Sequence, residues 1–555
     1  MQSSAGTKET DMAAETPTRR GNPWLVLMVF SLGLFMTLLD LTIVNIAIPS
    51  IVDDLKAPLD GILWMLNAYS LVYAVLLITS ARLGDMFGPR ALFVTGVATF
   101  TVASGLSGLA QDPTQLILAR AAQGLGAALI APQGLPMITS LFAPEKRGGV
   151  FAIFGILAGL AVVLGPTLGG LIVNNLGWRW IFYVNIPVGI ALVALAFTVV
   201  PDLRLGKSHR LDIPGVALAS AGLLLVVFGL IEGQRFEWGT VTAFITIPEI
   251  IGAGVLLLVA FMLYERRVQD SEPLLPFAVF RNRNFTLMVF VLMAMGFAML
   301  GVFLPITIYF QSVLGYDALT AGLTIAPMPL AMMFASGIVA SQVQKIGPKP
   351  FLFVGLTLFT IALAYIAWTV SADGGRWALL PGFILMGIGM SGVWTPVYDL
   401  ATRDLKPELA GTASGVLNTM QELGTVIASA AIGAVLQNQL ATSLRSEAVT
   451  YAQQLPAPFQ QPFVDGFANA AKQGLEVGAS QNGASLPLPQ GLPQTVVDQL
   501  TQLGHAVFTH AFVDAMRPSM ALPIAIVMIA ALISLAAKAP RRVTRSEPTP
   551  QTAAA

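Results

Sequence analysis

The chain has 555 residues, of which 55% are hydrophobic and only 11% are charged, and its mean hydropathy is +0.74. This composition is typical of a protein with many membrane spans and excludes an ordinary soluble domain. The formal net charge is zero, so nothing suggests a nucleic-acid-binding surface. The absence of cysteine excludes disulfides, thiolate metal sites and cysteine nucleophiles.

Fourteen apolar runs are long enough to cross a bilayer as helices, and their continuity differs from the short alternating strands of a membrane β-barrel. We therefore predict an all-α polytopic membrane protein with 14 spans. The polar first 22 residues carry charges of both signs, so we expect a solvated tail rather than a cleaved signal. The runs cover approximately 24–48, 62–80, 91–110, 115–140, 149–174, 180–200, 213–232, 245–264, 285–310, 319–341, 350–371, 377–402, 411–437 and 518–538.

The positive charges predict the orientation of these helices. With the N-terminus in the cytoplasm, 22 of the 30 Lys and Arg residues fall in cytoplasmic segments, 7 fall outside and one lies in a span. This bias favours an even number of spans and two cytoplasmic termini in a plasma or inner cell membrane. The segment 438–517 is then extracytoplasmic, and helical spacing in its part 495–516 predicts a helical hairpin or flap before the last span.

The two halves of the chain resemble each other. "GDMFGPRALF" around residue 88 matches "VQKIGPKPFLF" around 347, and "QGLGAALIAP" near 124 matches "MGIGMSGVWTP" near 387. The nearly constant offset of 259 to 263 residues predicts two duplicated six-helix bundles with spans 7 and 8 inserted between them. Repeats of this type place a substrate site at their interface and expose it alternately on the two sides. The predicted units are a tail 1–22, a first bundle 23–200, linkers with the inserted spans 201–284, a second bundle 285–538 that includes the outer loop 438–517, and a tail 539–555.

Two opposite charges stand inside spans of the first bundle. Asp40 lies in span 1 within "TLLDLTIVN", and Arg120 lies in span 4. Each costs about 2.5–3.5 kcal/mol at the centre of a membrane helix, so we expect the two to pair and to face a polar cavity. Gln123, one turn beyond Arg120, is placed to share their network. A purely structural ion pair is the alternative interpretation.

A third charge, Glu422, lies eleven residues beyond Gly411 in span 13, about 16 Å along a helix and thus near mid-membrane. Either it binds a cationic substrate or a second proton, or it is a hydrogen-bonded residue of a helix contact. Asn45, in span 1, is a further predicted cavity residue. The three histidines show no metal-ligand spacing, and we predict no metal or cofactor other than protons.

Several segments together resemble the major facilitator superfamily, and specifically its fourteen-helix drug:proton antiporter branch. "ARLGDMFGPR" at 81–90 is similar to motif A of this superfamily, "RAAQGLGAA" at 120–128 to motif B and "LGPTLGG" at 164–170 to motif C. "LLDLTIVNIAIP" in span 1 and "WRWIFYVNIPVG" at 178–189 resemble the fourteen-helix branch. The resemblance implies two six-helix bundles plus two inserted helices, and proton-coupled transport.

In motif A, the resemblance implies a cytoplasmic latch made by Asp85, Gly88 and Arg90. The Asp85 carboxylate is expected to meet the positive end of the helix that begins near Gly411, worth roughly 0.3–1 kcal/mol when exposed. The alternative is ordinary loop charge. Since the second half has Gln344 at the equivalent position, only the first half is expected to carry this latch.

In motif C, small residues recur at four-residue spacing in span 5, at Ala161, Gly165 and Gly169, with Pro166 and Gly170 beside them. Such a stripe by itself indicates close helix packing and a bend. The resemblance adds that this motif is typical of exporters that exchange their substrate for protons.

The residues and the resemblance together predict a proton-coupled secondary exporter of amphipathic drugs or natural products that works by alternating access, and not an enzyme. One alternative is a transporter of the same fold for a physiological metabolite such as a lipid, siderophore or amino acid. A less favoured alternative is a non-transporting membrane sensor, which would not need ionisable residues inside its spans. The predicted partners are a small-molecule substrate and the lipid bilayer, with no nucleic acid, and we expect a monomer.

Overall fold

The computed structural model describes residues 22–56, 59–202, 212–233, 236, 238–242, 244–269, 273–316, 318–372, 374–405, 409–472 and 494–538. The tails predicted at 1–22 and 539–555 lie outside these residues, apart from Asn22. The described residues form nineteen helices: α1 Pro23–Leu55, α2 Leu59–Phe87, α3 Pro89–Leu109, α4 Pro113–Ile130, α5 Gly134–Leu141, α6 Pro144–Leu176, α7 Trp180–Tyr183, α8 Asn185–Val199, α9 Ile213–Glu232, α10 Ile247–Arg267, α11 Arg283–Ile308, α12 Ala318–Ile325, α13 Pro327–Ile346, α14 Pro348–Thr369, α15 Arg376–Thr402, α16 Ala410–Ala452, α17 Ala457–Lys472, α18 Gln494–Ser519 and α19 Ala521–Leu535.

Little regular structure other than these helices occurs in the described residues. Two short antiparallel strands, β1 Thr240–Thr242 and β2 Ile245–Thr246, connect α9 to α10. Short 3₁₀ turns occur at Ala131–Gln133 and Phe277–Arg281, and a π-helical turn at Tyr309–Val313 extends α11. An α-helix satisfies its own backbone polar groups, which the interior of a bilayer cannot do.

Thirteen helical segments of the described residues are long and apolar enough to cross a membrane. The helix α6, at the position of the predicted fifth span, has 33 residues and is also long enough. The all-α polytopic prediction is therefore confirmed, and the predicted number of 14 spans is consistent with the structure. Some predicted spans consist of two helices, as in α12 and α13, where Pro327 begins the second helix.

Helix packing repeats between the two halves. Gly126 of α4 lies against the backbone of Phe100 in α3, and a Cβ atom there would stand 2.6 Å from the Phe100 nitrogen. In the second half, Gly389 of α15 lies against Phe359 of α14, with a corresponding distance of 2.7 Å. The same close glycine contact thus recurs at the spacing of the sequence repeat, which supports the inferred duplication.

The inserted helices α9 and α10 pack against each other, and α9 also reaches both bundles. Leu223 and Val227 of α9 belong to one buried cluster with Leu71 of α2 and Val426 of α16. The inserted pair therefore contacts the junction between α2 and α16. The domain limits drawn from the sequence stay a prediction.

The described part of the segment 438–517, which is predicted to be extracytoplasmic, contains a helical hairpin. The helix α16 continues through 43 residues, well beyond the length needed to span a bilayer, and α18 packs along its outer part. Leu440 and Leu444 of α16 share a buried cluster with Val507 and Ala511 of α18. Because α16 is continuous, this outer hairpin is a direct extension of the thirteenth span.

Candidate functional site

Asp40 of α1 and Arg120 of α4 form a buried ion pair. The Nη1 of Arg120 donates a hydrogen bond to Oδ2 of Asp40, and the side chains of Arg120 and Asp40 are 1% and 0% exposed, respectively. The two charges that were predicted to pair therefore lie in contact in the structure. Burial of such a pair is costly unless further hydrogen bonds satisfy both groups.

Two amide side chains complete the surroundings of the Asp40 carboxylate. Gln123 donates from Nε2 to Oδ1 of Asp40 at 3.2 Å, and Asn185 of α8 donates from Nδ2 to the same oxygen at 3.1 Å. Gln123 also accepts a hydrogen bond from Arg120 at 3.0 Å. Both oxygens of the Asp40 carboxylate therefore accept hydrogen bonds from buried side chains.

Serine hydroxyls on α3 orient these two amides. Ser104 Oγ accepts from Gln123 at 3.2 Å and from Asn185 at 3.0 Å, and it donates to the carbonyl of Phe182 at 2.9 Å. Ser107 donates to Oε1 of Gln123 at 3.1 Å. All these polar side chains are buried, so the network is fixed by hydrogen bonds on every side.

Tyr69 of α2 covers the arginine of the pair. The Arg120 guanidinium carbon lies 4.5 Å from the centroid of the Tyr69 ring, a cation–π geometry. The Tyr69 hydroxyl donates to the carbonyl of Thr37 at 3.4 Å. That Arg120 faces a polar cavity stays a prediction. In this structure the arginine is buried, and its Nε has no hydrogen-bond partner among the described residues.

Glu422 of α16 lies between the two bundles and is partly exposed. Tyr69 and Tyr73 of α2 lie near the Glu422 carboxyl group. Tyr398 of α15 also lies near Tyr73. Glu422 forms no hydrogen bond or ion pair within the described part of the chain, so the predicted alternative of a hydrogen-bonded helix contact has no support. Trp394 stacks on Tyr398 with ring centroids 6.4 Å apart, which gives this space aromatic walls.

Tyr69 and Tyr73 connect the two acidic positions. Their rings stack with centroids 6.2 Å apart on one face of α2. Tyr69 touches Arg120 and Tyr73 lies near Glu422. The ion pair in the first bundle and the acid of the second bundle are therefore separated by two aromatic layers. Within the described residues, no group of three His, Asp or Glu side chains could hold a metal ion.

The motif C residues pack α6 against α1. A Cβ atom at Gly165 would collide with the side chain of Thr42, whose hydroxyl donates to the carbonyl of Ala161 at 3.2 Å. Gly169 is buried, whereas a Cβ atom at Gly170 would meet nothing within 4 Å, so packing does not require a glycine at that position. The side chains of two further predicted positions, Pro166 and Asn45, lie outside the described residues.

The latch residue Asp85 meets the start of α16. Its carboxylate lies against Gly411, where a Cβ atom would overlap it, and Thr412 donates a hydroxyl hydrogen bond to Oδ2 at 3.4 Å. An acid at a helix N-terminus is stabilised by the peptide dipoles. Asp85 stands at the end of α2, so this contact joins the two bundles on one side of the membrane.

The other two latch residues have different roles in the structure. Gly88 has a φ of 92°, and Gly347 at the equivalent turn of the second half has 100°, a backbone conformation that favours glycine. Arg90 donates to the carbonyl of Phe197 at 3.0 Å and covers its ring at 5.4 Å. Phe197 belongs to α8, so these contacts lie within the first bundle, and the part of Arg90 in the latch stays a prediction.

Four residues of the Asp40–Arg120 network were not predicted from the sequence: Asn185, Ser104, Ser107 and Tyr69. One available signal was the spacing of Ser104 and Ser107, which puts two hydroxyls on one face of an otherwise apolar helix. Asn185 stands inside the segment "WRWIFYVNIPVG", which was noted for its resemblance but not for this side chain. No pattern distinguished Tyr69 from other aromatic residues of the spans.

Comparisons with known proteins identify the family. The sequence model of the Major Facilitator Superfamily matches residues 30–429. An uncharacterised MFS-type transporter of Mycobacterium tuberculosis is 36% identical over 423 residues, 76% of this chain and 72% of that protein. The tetracenomycin C resistance and export protein of Streptomyces glaucescens is 32% identical over 78% of this chain and 80% of its own length. The puromycin resistance protein of Streptomyces alboniger is 36% identical over 76% of this chain and 82% of its own length.

Solved structures show the same fold. The human organic anion transporter MFSD10 (TETRAN) aligns with a TM-score of 0.53 over 91% of this chain and 99% of its own, at 13% identity. The proton:xylose symporter XylE aligns with a TM-score of 0.53 over 81% of this chain and 94% of its own, at 14% identity. The chain therefore belongs to the major facilitator superfamily and is a multi-pass membrane transport protein for small molecules, not an enzyme.

Proposed function

We propose that this protein is a proton-coupled exporter that exchanges amphipathic organic compounds, such as drugs or natural products, for protons. The observation that carries the proposal is the carboxylate of Asp40, which is buried inside the first bundle with Arg120 as its partner. Relatives named as antibiotic resistance and export proteins support the export direction. Protons are the only coupling ligand that the proposal needs.

Asp40 is the proposed proton carrier. In this conformation, the donors from Arg120, Gln123 and Asn185 favour the charged carboxylate. Protonation removes the negative charge, so the attraction between Asp40 and Arg120 is lost while the arginine stays charged. Movement of Arg120 toward another hydrogen-bond acceptor then lowers its free energy. Tyr69, whose ring lies on the guanidinium, moves with it. A proton at Asp40 thereby changes the contact between the first bundle and α2.

The proton gradient supplies the driving free energy. Each charge that crosses the full membrane potential releases about 2.3 kcal/mol per 100 mV. This free energy can raise a substrate gradient only if the proton and the substrate are bound alternately. Alternation requires the two bundles to change their contact, and the Asp85–Gly411 contact is the proposed latch that holds them together on the cytoplasmic side.

Glu422 and its aromatic neighbours are the proposed substrate site. A carboxylate that has no hydrogen-bond or ion-pair partner among the described residues, next to the rings of Tyr73 and Tyr398, suits an organic cation with apolar groups. Trp394 adds a further apolar surface. We therefore expect cationic amphipathic compounds to bind more tightly than neutral analogues of the same size.

The proposed location is the cell membrane, with both termini in the cytoplasm, and the proposed unit is a monomer. The excess of Lys and Arg in the segments assigned to the cytoplasm supports this orientation. This orientation places Asp85 at the cytoplasmic end of α2 and the hairpin of α16 and α18 outside.

The test uses purified protein in liposomes that contain a pH-sensitive dye. We expect the addition of a cationic drug to stimulate proton movement in the wild type, and Asp40→Asn to abolish this while drug binding persists. Ser107→Ala, which alters the network without touching Asp40, is the matched control and retains the coupling. Drug-stimulated proton movement at the wild-type rate in Asp40→Asn would overturn the proposal. A growth-inhibition panel distinguishes drug export from transport of a physiological metabolite.

A further inference from the structure

A pair of acidic residues, one partly and one fully buried, lies at the ends of the inserted helices. Asp212 immediately precedes α9, and Glu265 stands in the last turn of α10 and is fully buried. The linker to the second bundle passes beside Glu265 at Leu274 and Leu275. This junction shares no residue with the Asp40 network or with the proposed substrate site.

Each carboxyl group has one oxygen that accepts hydrogen bonds. Oδ1 of Asp212 accepts from the backbone of Gly215 and from the hydroxyl of Tyr264, both at 3.0 Å. Oε2 of Glu265 accepts from the backbone of Leu275 at 3.2 Å. These bonds fix the direction in which the second oxygen of each group points.

The remaining two oxygens face each other. Asp212 Oδ2 and Glu265 Oε1 are both buried, and neither has a hydrogen-bond donor among the described residues. A Cβ atom on Gly215 would stand 2.4 Å from the Asp212 oxygen and 2.7 Å from the Glu265 oxygen, so the two oxygens occupy the same small space.

Two ionised carboxylates at this distance would repel each other strongly, because burial lowers the local screening. The titratable neighbour on α10 is Tyr264, whose hydroxyl donates to Asp212. No Lys or Arg of the described residues forms an ion pair with either carboxyl, including Arg266 and Arg267, which follow Glu265 in the last turn of α10. A single proton between the two oxygens supplies the missing donor and removes one negative charge.

We propose that Asp212 and Glu265 together bind one proton and form a cytoplasmic pH-sensitive clamp between α9, α10 and the linker to α11. With the proton bound, one carboxylic acid donates to the other carboxylate and the junction is closed. When cytoplasmic pH rises and the proton leaves, the two charges separate, and Glu265 releases the amide of Leu275. The cytoplasmic placement rests on the orientation proposed above.

The clamp is positioned to act on the latch. The helix α9 packs against both α2 and α16, the helices that carry Asp85 and Gly411. A change at the start of α9 therefore reaches the contact between the two bundles through neighbouring helices. This regulation is distinct from proton exchange at Asp40, because it requires no proton to cross the membrane.

Infrared spectroscopy of the purified protein in liposomes tests the shared proton directly. A protonated carboxyl group has a carbonyl stretching band that disappears on ionisation. We expect a pH difference spectrum to contain such a band in the wild type, in Asp40→Asn and in Glu422→Gln. In a chain that already carries Asp40→Asn and Glu422→Gln, the band is expected to be lost on adding Glu265→Gln, where the amide replaces the proton as the donor to Asp212, or on adding Asp212→Asn. A band that neither addition changes would overturn the proposal.

Hydrogen exchange tests the mechanical consequence. Corrected for the intrinsic pH dependence of exchange, the peptide covering 273–280 is expected to lose protection as pH rises in the wild type. In Glu265→Gln it is expected to stay protected at every pH. The proton clamp would be refuted if the wild type lacked the infrared band and sodium ions raised its unfolding temperature. If Glu265→Gln abolished this effect of sodium, the junction would be a cation site instead. Loss of drug-stimulated proton movement in Asp40→Asn bears only on the exchange function.

Discussion

Replacing Asn185 with alanine tests whether the amide donors set the proton affinity of Asp40. Asn185 donates to Oδ1 of Asp40 at 3.1 Å and to Ser104 at 3.0 Å, and it is buried. The substitution removes one of the three side chains that donate to the carboxylate. Water cannot replace the lost donor readily, since every neighbouring polar side chain of the network is also buried.

The expected magnitude follows from the energy of a hydrogen bond to a charged group. Such a bond contributes about 1.5–3 kcal/mol, and 1.36 kcal/mol corresponds to one pH unit. The donor stabilises only the charged carboxylate, so its removal favours the protonated form. We therefore expect the midpoint of the pH dependence of drug–proton exchange to move upward by about one to two pH units.

The assay measures drug-stimulated proton movement in liposomes across a series of internal and external pH values. Ser104→Ala is the matched control, because Ser104 contacts Asn185 and Gln123 but does not contact Asp40. We expect it to shift the midpoint by less than Asn185→Ala does. Equal shifts in the two variants, or an unchanged midpoint in Asn185→Ala, would contradict the assignment of Asn185 as a positioning residue for the proton site.

Three further predictions concern other parts of the chain. Glu422→Gln is expected to weaken binding of a cationic drug about tenfold and to leave a neutral analogue unaffected, as measured by tryptophan fluorescence; equal losses would refute a charge-specific site. Gly411→Ala is expected to destabilise the contact with Asp85 by about 1–3 kcal/mol, because the added methyl group overlaps the carboxylate. A cysteine introduced at the interface beside this contact should then react faster with a thiol reagent, whereas Gly170→Ala, in open space, should leave its labelling unchanged. On the outer surface, the pKa of Asp54 is lowered chiefly by its hydrogen bond from Arg179. This ion pair is expected to stabilise the folded state by less than about 1 kcal/mol, because the site is exposed. The stabilisation should be present above the ordinary carboxyl pKa and be lost as pH falls through the lowered pKa. The unfolding midpoints of wild type and Asp54→Asn should therefore differ at neutral pH and converge in acid.

The sequence predicted the ion pair because single charges inside apolar spans are costly. Asp40 and Arg120 each demand a partner, and they belong to the same repeat, so their pairing could be inferred without coordinates. Gln123 followed from its position one turn along the same helix. The latch contact between Asp85 and Gly411 was implied by resemblance, and the physical signal behind it is an acid at a helix end facing the start of another helix.

The rest of the site depends on contacts between helices that no local pattern specifies. Asn185 reaches Asp40 across 145 positions of the chain, and an asparagine near a helix start is ordinarily a cap or an interfacial residue. The contact between Asp212 and Glu265 could not be predicted either, because the sequence pattern indicates only a solvated charge at the end of a span for each. Arg90 was assigned to the latch by its motif, yet the carbonyl of Phe197 is the acceptor that the fold places within its reach.

The contact between α2 and α16 is where the separate elements of the proposed mechanism meet. On α2, Tyr69 covers Arg120, and Asp85 ends the helix at the latch. On α16, Gly411 begins the helix at the same latch, and Glu422 follows about 16 Å along it. Because α16 is one unbroken helix of 43 residues, a rotation that separates Gly411 from Asp85 also changes the position of Glu422 relative to α2. In the proposed mechanism, opening of the latch, rearrangement of the proposed substrate site and release of the ring over Arg120 are therefore consequences of one movement between two helices.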